Sequence, residues 1–179
     1  GERGSVYEHC RRALRKRATH GAHGLPLMGT GDWNDGMNRV GEHGRGESVW
    51  LGFFLHNALA RFVPYAETRR DGARVARWLV HMDALGQALE EQGWDGDWYR
   101  RAYFDDGTAL GSAANRECRL DSIAQSWSVL SGVAAPDRRK RAMEAVQKYL
   151  VRPEDRLMAL FTPPFVNASH DLGYIKGYP

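Results

Sequence analysis

The sequence predicts an all-α protein carrying long loops that bear its function. Three observations lead there. Apolar residues recur at spacings of three and four in five segments, the mark of one buried helical face. The loops between those segments are dense in glycine, Asx and aromatic residues. No βαβ alternation is present, nor any internal repeat on the order of 20–50 residues. Periodicity alone leaves a helical bundle and a toroid of helical hairpins equally open.

The first helix is expected over 5–19, with Val6, Cys10, Ala13 and Leu14 on one face and charges opposite. A glycine-rich loop follows over 20–47. Segment 48–68 is strongly apolar (Val49, Trp50, Leu51, Phe53, Phe54, Leu55, Leu59, Phe62) and reads as a buried helix that Pro64 should kink or end near its last turn. Segment 71–92 is amphipathic: Val75, Trp78, Leu79, Met82, Leu85 and Leu89 form the stripe, with Arg74, Arg77, Asp83, Glu90 and Glu91 opposite. Segment 94–104, with Trp98, Tyr99, Tyr103 and Phe104 between Asp-Gly turns, fits short extended structure. A helix over 121–131 has capping-box spacing in Ser122 and Gln125 and an apolar face of Ile123, Trp127 and Leu130. Pro136 opens another, through about 151, and 153–179 is rich in Pro and Gly and expected to be mostly loop.

At 179 residues the chain suits one domain, and its 42% hydrophobic and 26% charged residues are ordinary for a globular protein. The net charge of +3 is mild. Its basic clusters, Arg11-Arg12-Arg15-Lys16-Arg17 and Arg138-Arg139-Lys140-Arg141, fall in helical segments and read as solvated faces. They lack the interleaved aromatics and motifs of a nucleic-acid binder. Cys10 and Cys118 sit in no metal-ligand or redox spacing, so a reduced, cytoplasmic compartment is expected. No signal peptide or apolar run of membrane length is evident. The chain opens on Gly1-Glu2-Arg3 and stops at Tyr178-Pro179, which suggests an internal piece of a larger protein.

The candidate site is Gly29-Thr30-Gly31-Asp32-Trp33-Asn34-Asp35-Gly36-Met37-Asn38-Arg39-Val40-Gly41. Four glycines and the clustered Asx residues preclude a helix or strand. Two carboxylates suit proton chemistry, Trp33 offers a flat face for a pyranose ring, and the glycines let backbone approach a ligand. The stretch is no dinucleotide fingerprint, because Asn34 stands where the third glycine belongs, and no Walker lysine follows. It is one residue short of a calcium-hand start, and His20 and His23 lack a third zinc ligand at helical spacing.

One of Asp32 and Asp35 is expected to be an Asx-turn or cap residue. The other is a general acid whose pKa partial burial would raise, with Trp33 and Trp50 supplying the apolar surroundings. Spacing does not say which is which. Glu47 is either a helix-start carboxylate or a sugar ligand. Gln125 is either a cap or a substrate hydrogen bond. In Gly173-Tyr174-Ile175-Lys176-Gly177-Tyr178 a turn explains the glycines, and Lys176 is an anion contact or simply solvated.

Six stretches together resemble the catalytic domain of glycoside hydrolase family 94, the inverting disaccharide and oligosaccharide phosphorylases. They are GLPLMGTGDWNDGMNRVG (24–41), GRGESVWLGFFL (44–55), WDGDWYRRAYFDDGTALGS (94–112), LDSIAQSWSVLSG (120–132), TPPF (162–165) and GYIKGY (173–178). Within the family the chain is most similar to the phosphorylase-like C-terminal region of bacterial cyclic β-1,2-glucan synthases. The resemblance implies a partial (α/α)6 barrel, with residues 1–179 an internal fragment of one catalytic domain. It implies Asp35 as the general acid, two residues after the loop tryptophan, and gives Asp32 the structural role. Trp33, Asn34, Glu47, Gln125 and Lys176 are the substrate-binding candidates that go with it.

The implied reaction is phosphorolysis of a β-linked glucan oligosaccharide, β-1,2-glucan by preference. Inorganic phosphate is the co-substrate, no cofactor or metal takes part, and the product is α-glucose 1-phosphate. Family members continue into an Arg-Glu-Asn-Gly-Gly segment and a phosphate-contacting histidine that these 179 residues do not contain, so the isolated chain is expected to be inactive. An inverting hydrolase on the same scaffold and a non-catalytic carbohydrate-binding domain are the competing readings. No membrane segment is expected within these residues, and the sequence does not say whether a membrane-bound synthase surrounds them.

Overall fold

A computed structural model of the chain describes residues 3–177. The described residues form five α-helices joined by long loops, and the helices do not close a barrel. Helix α1 (Val6–Arg17) starts at Ser5, whose Oγ accepts from the Glu8 amide at 3.2 Å. Helix α2 (Val49–Thr68) starts at Ser48, whose Oγ accepts from Leu51 N at 3.0 Å. Helix α3 (Gly72–Ala88) runs into a π-turn, Leu89–Gly93. Helices α4 (Ser122–Leu130) and α5 (Pro136–Tyr149) follow.

Helices α2, α3 and α4 pack around the main core, which Phe53, Leu55, Leu59, Trp78, Leu85, Leu89 and Tyr99 fill. Each of the large aliphatic or aromatic side chains there contributes about 1.5–3 kcal/mol of burial free energy. A second core, of Met28, Met37, Val40, Phe104, Leu110, Leu172 and Ile175, lies beneath the loops rather than between helices. It anchors the glycine-rich loop.

The loops are tied down by seven two-residue strands. Strands β1 (Glu47–Ser48), β2 (Ala102–Tyr103) and β3 (Ala109–Leu110) form an antiparallel sheet with Glu47 opposite Tyr103 and Ser48 opposite Ala102. Strand β4 (Leu120–Asp121) pairs with β7 (Phe161–Thr162), which brings the C-terminal segment against the start of α4. Strands β5 (Val151–Arg152) and β6 (Leu157–Met158) make a hairpin.

Several local expectations change. No residue of α1 is fully buried; Val6 is 79% exposed, and Tyr7, Cys10 and Leu14 are the apolar residues turned inward. The stacking of Tyr7 on Phe62 of α2, at 5.3 Å, rotates the helix onto that face. Helix α2 ends at Thr68, where expected, with Pro64 near its last turn, where a missing N–H costs few ladder bonds. Leu79 points outward from α3, whereas Glu90 turns inward to Tyr99 and Arg138. The cap of α4 is Asp121, not Ser122: its Oδ1 accepts from Ile123 N at 2.9 Å. The buried face of α4 is Ala124, Gln125 and Ser128, while Leu130 is exposed. The 151–158 hairpin replaces part of the expected terminal loop.

Candidate active site

The glycine-rich loop is built on a buried ion pair. Asp32 and Arg101 both have fully buried side chains. Arg101 grips Asp32 with both terminal nitrogens, Nη1 to Oδ2 at 2.7 Å and Nη2 to Oδ1 at 2.6 Å. Ser48 Oγ donates to the same carboxylate at 2.6 Å, and Asn34 N donates to it at 3.1 Å. Burial by itself would push the Asp32 pKa up. The Arg101 charge, with the hydrogen bonds from Arg101, Ser48 and Asn34, outweighs burial and holds it below the usual carboxylate value. Burial likewise works against the Arg101 charge, yet Asp32 raises its pKa overall, so both groups stay ionised. Asp32 is therefore an anchor that cannot move a proton.

From that anchor the chain turns sharply. Gly29 and Gly31 take φ of +64° and +133°, which side-chain-bearing residues avoid. Asn34 Oδ1 accepts from Gly36 N at 3.0 Å and caps a 3₁₀ turn, Asp35–Met37. Met37 is fully buried in the second core, and Ile175 presses on Gly36 so closely that a Cβ there would lie 2.9 Å from the Ile175 Cβ. Asp35, the first residue of this pinned turn, is left with its side chain exposed.

Asp35 faces a cleft of about 610 Å³. Trp33 and Asn34 line it from the same loop, and Phe161, Phe165 and Tyr174 from the C-terminal segment. Trp33 is 54% exposed, an open indole face beside the carboxyl. Flat apolar faces, one free acid and a volume within the range of small-molecule sites suit a sugar ring. The expected apolar wrapping of the acid by Trp50 is absent: Trp50 lies in α2, stacked on Phe54 at 5.4 Å, outside the cleft.

The structure brings Trp33, Asn34 and Asp35 together and separates the other candidates from them. Glu47 is buried, and its carboxylate is occupied by His23 N, Leu25 N at 3.0 Å and His23 Nδ1 at 2.5 Å. It fastens the 21–25 turn. Gln125 is fully buried; its Oε1 accepts from Tyr99 N at 2.8 Å, and its Nε2 donates to Tyr99 O at 2.7 Å and Asp121 O at 2.9 Å. Both ends of its amide thus serve the scaffold, and neither the capping-box role nor a cleft position is seen. Lys176 is exposed, one residue beyond the cleft-lining Ile175, with Nζ 3.4 Å from Ala168 O. Tyr178 lies outside the described residues.

Sequence reasoning missed Arg101; it grouped Asp121 with Gln125 and Trp127 as a polar-aromatic set, but not with the arginine it faces. Asp121 Oδ2 sits 3.5 Å from Arg101 Nε, so two buried carboxylates share one guanidinium. Burial raises the Asp121 pKa, the nearby Asp32 charge adds to that, and Arg101 offsets only part. A signal for Arg101 exists: Arg100-Arg101 interrupts the aromatic run from Trp98 to Phe104, where a charge needs a buried partner. Of the aromatic wall, Phe165 and Tyr174 fall in stretches that resemble the family, whereas nothing in the sequence marks Phe161; β7 pairing brings Phe161 to the cleft, and packing of Ile175 on Gly36 brings Tyr174.

A family model described as "Glycosyl hydrolase 94 superfamily, catalytic domain" matches residues 1–179. The chain belongs to this superfamily. Over 180 residues, 99% of the chain, it is 61% identical to the cyclic beta-(1,2)-glucan synthase NdvB of Rhizobium meliloti (strain 1021), and it covers 6% of that protein. It is 35% identical over 98% of its length to the solabiose phosphorylase of Paenibacillus borealis, covering 23% of it. With the N,N'-diacetylchitobiose phosphorylase of Vibrio furnissii it shares 31% identity over 96% of its length, 21% of that enzyme. This glycosyl hydrolase 94 chain therefore spans a quarter or less of these relatives. These relatives are glycoside phosphorylases and a glucan synthase, all proteins that act on carbohydrates. Among the described residues no helix is long and apolar enough to cross a membrane.

Proposed function

We propose that this glycosyl hydrolase 94 chain carries the proton donor of an inverting phosphorylase acting on β-linked glucosides, with β-1,2-glucan as the preferred substrate. One observation carries the reading. Of the two loop carboxylates, Asp32 is locked as an anion by Arg101, and Asp35 alone stands free in the cleft beside Trp33.

In the proposed reaction an oxygen of inorganic phosphate forms a bond to the anomeric carbon as the bond to the glycosidic oxygen breaks. Asp35 gives its proton to that leaving oxygen and is reprotonated from solvent. Attack from the face opposite the leaving group inverts a β-linkage to α-glucose 1-phosphate. An inverting hydrolase needs a second carboxylate to activate water. Phosphate is already an anionic nucleophile, so positioning replaces deprotonation and no cofactor takes part. Trp33 stacks on the sugar, Asn34 hydrogen-bonds it, and Lys176 draws the anion. Glu47 and Gln125 are left out of this scheme, because their polar atoms are spent within the scaffold. We place the reaction in the cytoplasm, where both Cys10 and Cys118 remain free thiols.

The test is turnover of β-1,2-glucan oligosaccharides by the full-length protein with and without phosphate. α-Glucose 1-phosphate formed only with phosphate supports the reading, and glucose released without phosphate refutes it in favour of a hydrolase. Asp35→Asn should lower turnover by about 10²-fold or more at an unchanged melting temperature. Full activity in that variant removes Asp35 from the chemistry.

A further inference from the structure

Four arginines and a histidine from two helices line a groove that shares no lining residue with the cleft. Helix α1 contributes Arg11 and Arg15, and α3 contributes Arg74, Arg77 and His81, at the three- and four-residue spacings that share a helical face. With Trp78 and Ala18 they enclose about 170 Å³. Two of the charges are answered locally. Arg11 pairs with Glu8, and Arg74 Nε lies 2.5 Å from Asp71 Oδ2. Among the described residues the guanidinium groups of Arg15 and Arg77 have no ion pair or hydrogen bond, and His81 Nε2 is buried without a partner. Trp78, 8% exposed, backs the groove, with the Arg74 guanidinium 5.8 Å from its ring centroid.

Fold stability does not account for this arrangement. Like charges one turn apart on a helix repel, and setting a second such row across the groove adds to the repulsion. Against that repulsion α1 sets partly buried apolar contacts, Tyr7 and Leu14 among them, and no fully buried residue. The sequence alone reads these arginines as two unrelated solvated faces; only the packing of α1 beside α3 makes them one site. A small anion with several acceptor oxygens would relieve the repulsion and accept from both free guanidinium groups. Arginine's planar fork suits tetrahedral oxyanions in particular.

We propose that this groove binds a phosphate group, as free inorganic phosphate or as a phosphomonoester, and that the bound anion fastens α1 to α3. The site is independent of the Asp35 cleft. The test compares the full-length protein with its Arg15→Gln/Arg77→Gln variant; both side chains are exposed, so the core is untouched. In calorimetric titration with inorganic phosphate, the wild type should show a binding component that the variant weakens by about tenfold or more, the loss of two charge-assisted contacts. Amide exchange over residues 6–17 should slow on adding phosphate in the wild type only. Cosedimentation with phosphatidylcholine vesicles containing phosphatidic acid tells the sources apart: loss of sedimentation in the variant, without a difference in the phosphate titration, assigns the groove to a lipid phosphomonoester. Matching titrations, exchange and sedimentation for the two proteins overturn the proposal.

Discussion

Arg101→Met tests the anchor on which the acid loop stands. The substitution keeps the length and apolar stem of the side chain and removes its charge, leaving the fully buried Asp32 with only Ser48 Oγ and Asn34 N as donors. Breaking a buried pair by deleting one partner costs about 3–5 kcal/mol, because the remaining charge is uncompensated. For a domain of this size that lowers the melting temperature by roughly 6–20 °C.

The pH dependence identifies the cause. In the native protein the Asp32 pKa lies below its unfolded value, so its stabilisation is complete above about pH 3.9 and is lost as pH falls through the lower folded value. Without Arg101 burial dominates, and the folded pKa rises above the unfolded one. The variant then loses stability as pH climbs through that raised value, and its deficit against wild type is smaller near about pH 5 than near about pH 8. Chemical denaturation of both proteins at the two pH values reads this out. Turnover should fall with stability only partly recovered by Arg101→Lys, which restores charge but not the two-pronged grip. A deficit below about 1 kcal/mol, or one equal at both pH values, refutes the assignment of Asp32 as a charged anchor.

Further outcomes follow from the same geometry. Asp121→Asn keeps the Oδ1 acceptor for Ile123 N while removing a carboxylate whose pKa burial raises, so its stability should match or exceed wild type above about pH 4, whereas Asp121→Ala should lose about 1–2 kcal/mol of cap; denaturation curves separate the two. Gln125→Ala strands Tyr99 N and O and should cost about 1–3 kcal/mol in denaturation while leaving KM for glucan unchanged; a selective rise in KM would return Gln125 to the substrate site. Gly111 has φ of +80°, and a Cβ there would lie 2.5 Å from Arg101 N, so Gly111→Ala should destabilise by roughly 1–3 kcal/mol or more and lower turnover through the displaced Arg101. Trp33→Ala removes an exposed indole and should raise KM about tenfold at an unchanged melting temperature, read by steady-state kinetics.

How much of the site was legible differs residue by residue. The Asp32–Asp35 pair and Trp33 stand out in sequence because a loop so rich in glycine and Asx has few structural reasons to exist. Assigning proton donor and anchor to the two aspartates was beyond spacing. The family resemblance points to Asp35 as the donor; the structure adds that Asp32 is paired with the buried Arg101, sixty-nine positions beyond it. Glu47 and Gln125 show the opposite case. In sequence each is open to a capping or a ligand role, and both are consumed by backbone amides brought from distant segments.

By itself the sequence determined the five helices, the loop between α1 and α2, and the residue types that loop presents. Those depend on local spacing, on glycine's access to positive φ and on side-chain type, all of which are written along the chain. Only the tertiary structure decided which face of α1 and α4 turns inward, which carboxylate is free, and which aromatics wall the cleft. It also made one groove of two arginine rows. These are properties of long-range pairing: burial and electrostatic partnership arise between segments, and no window of sequence contains both partners.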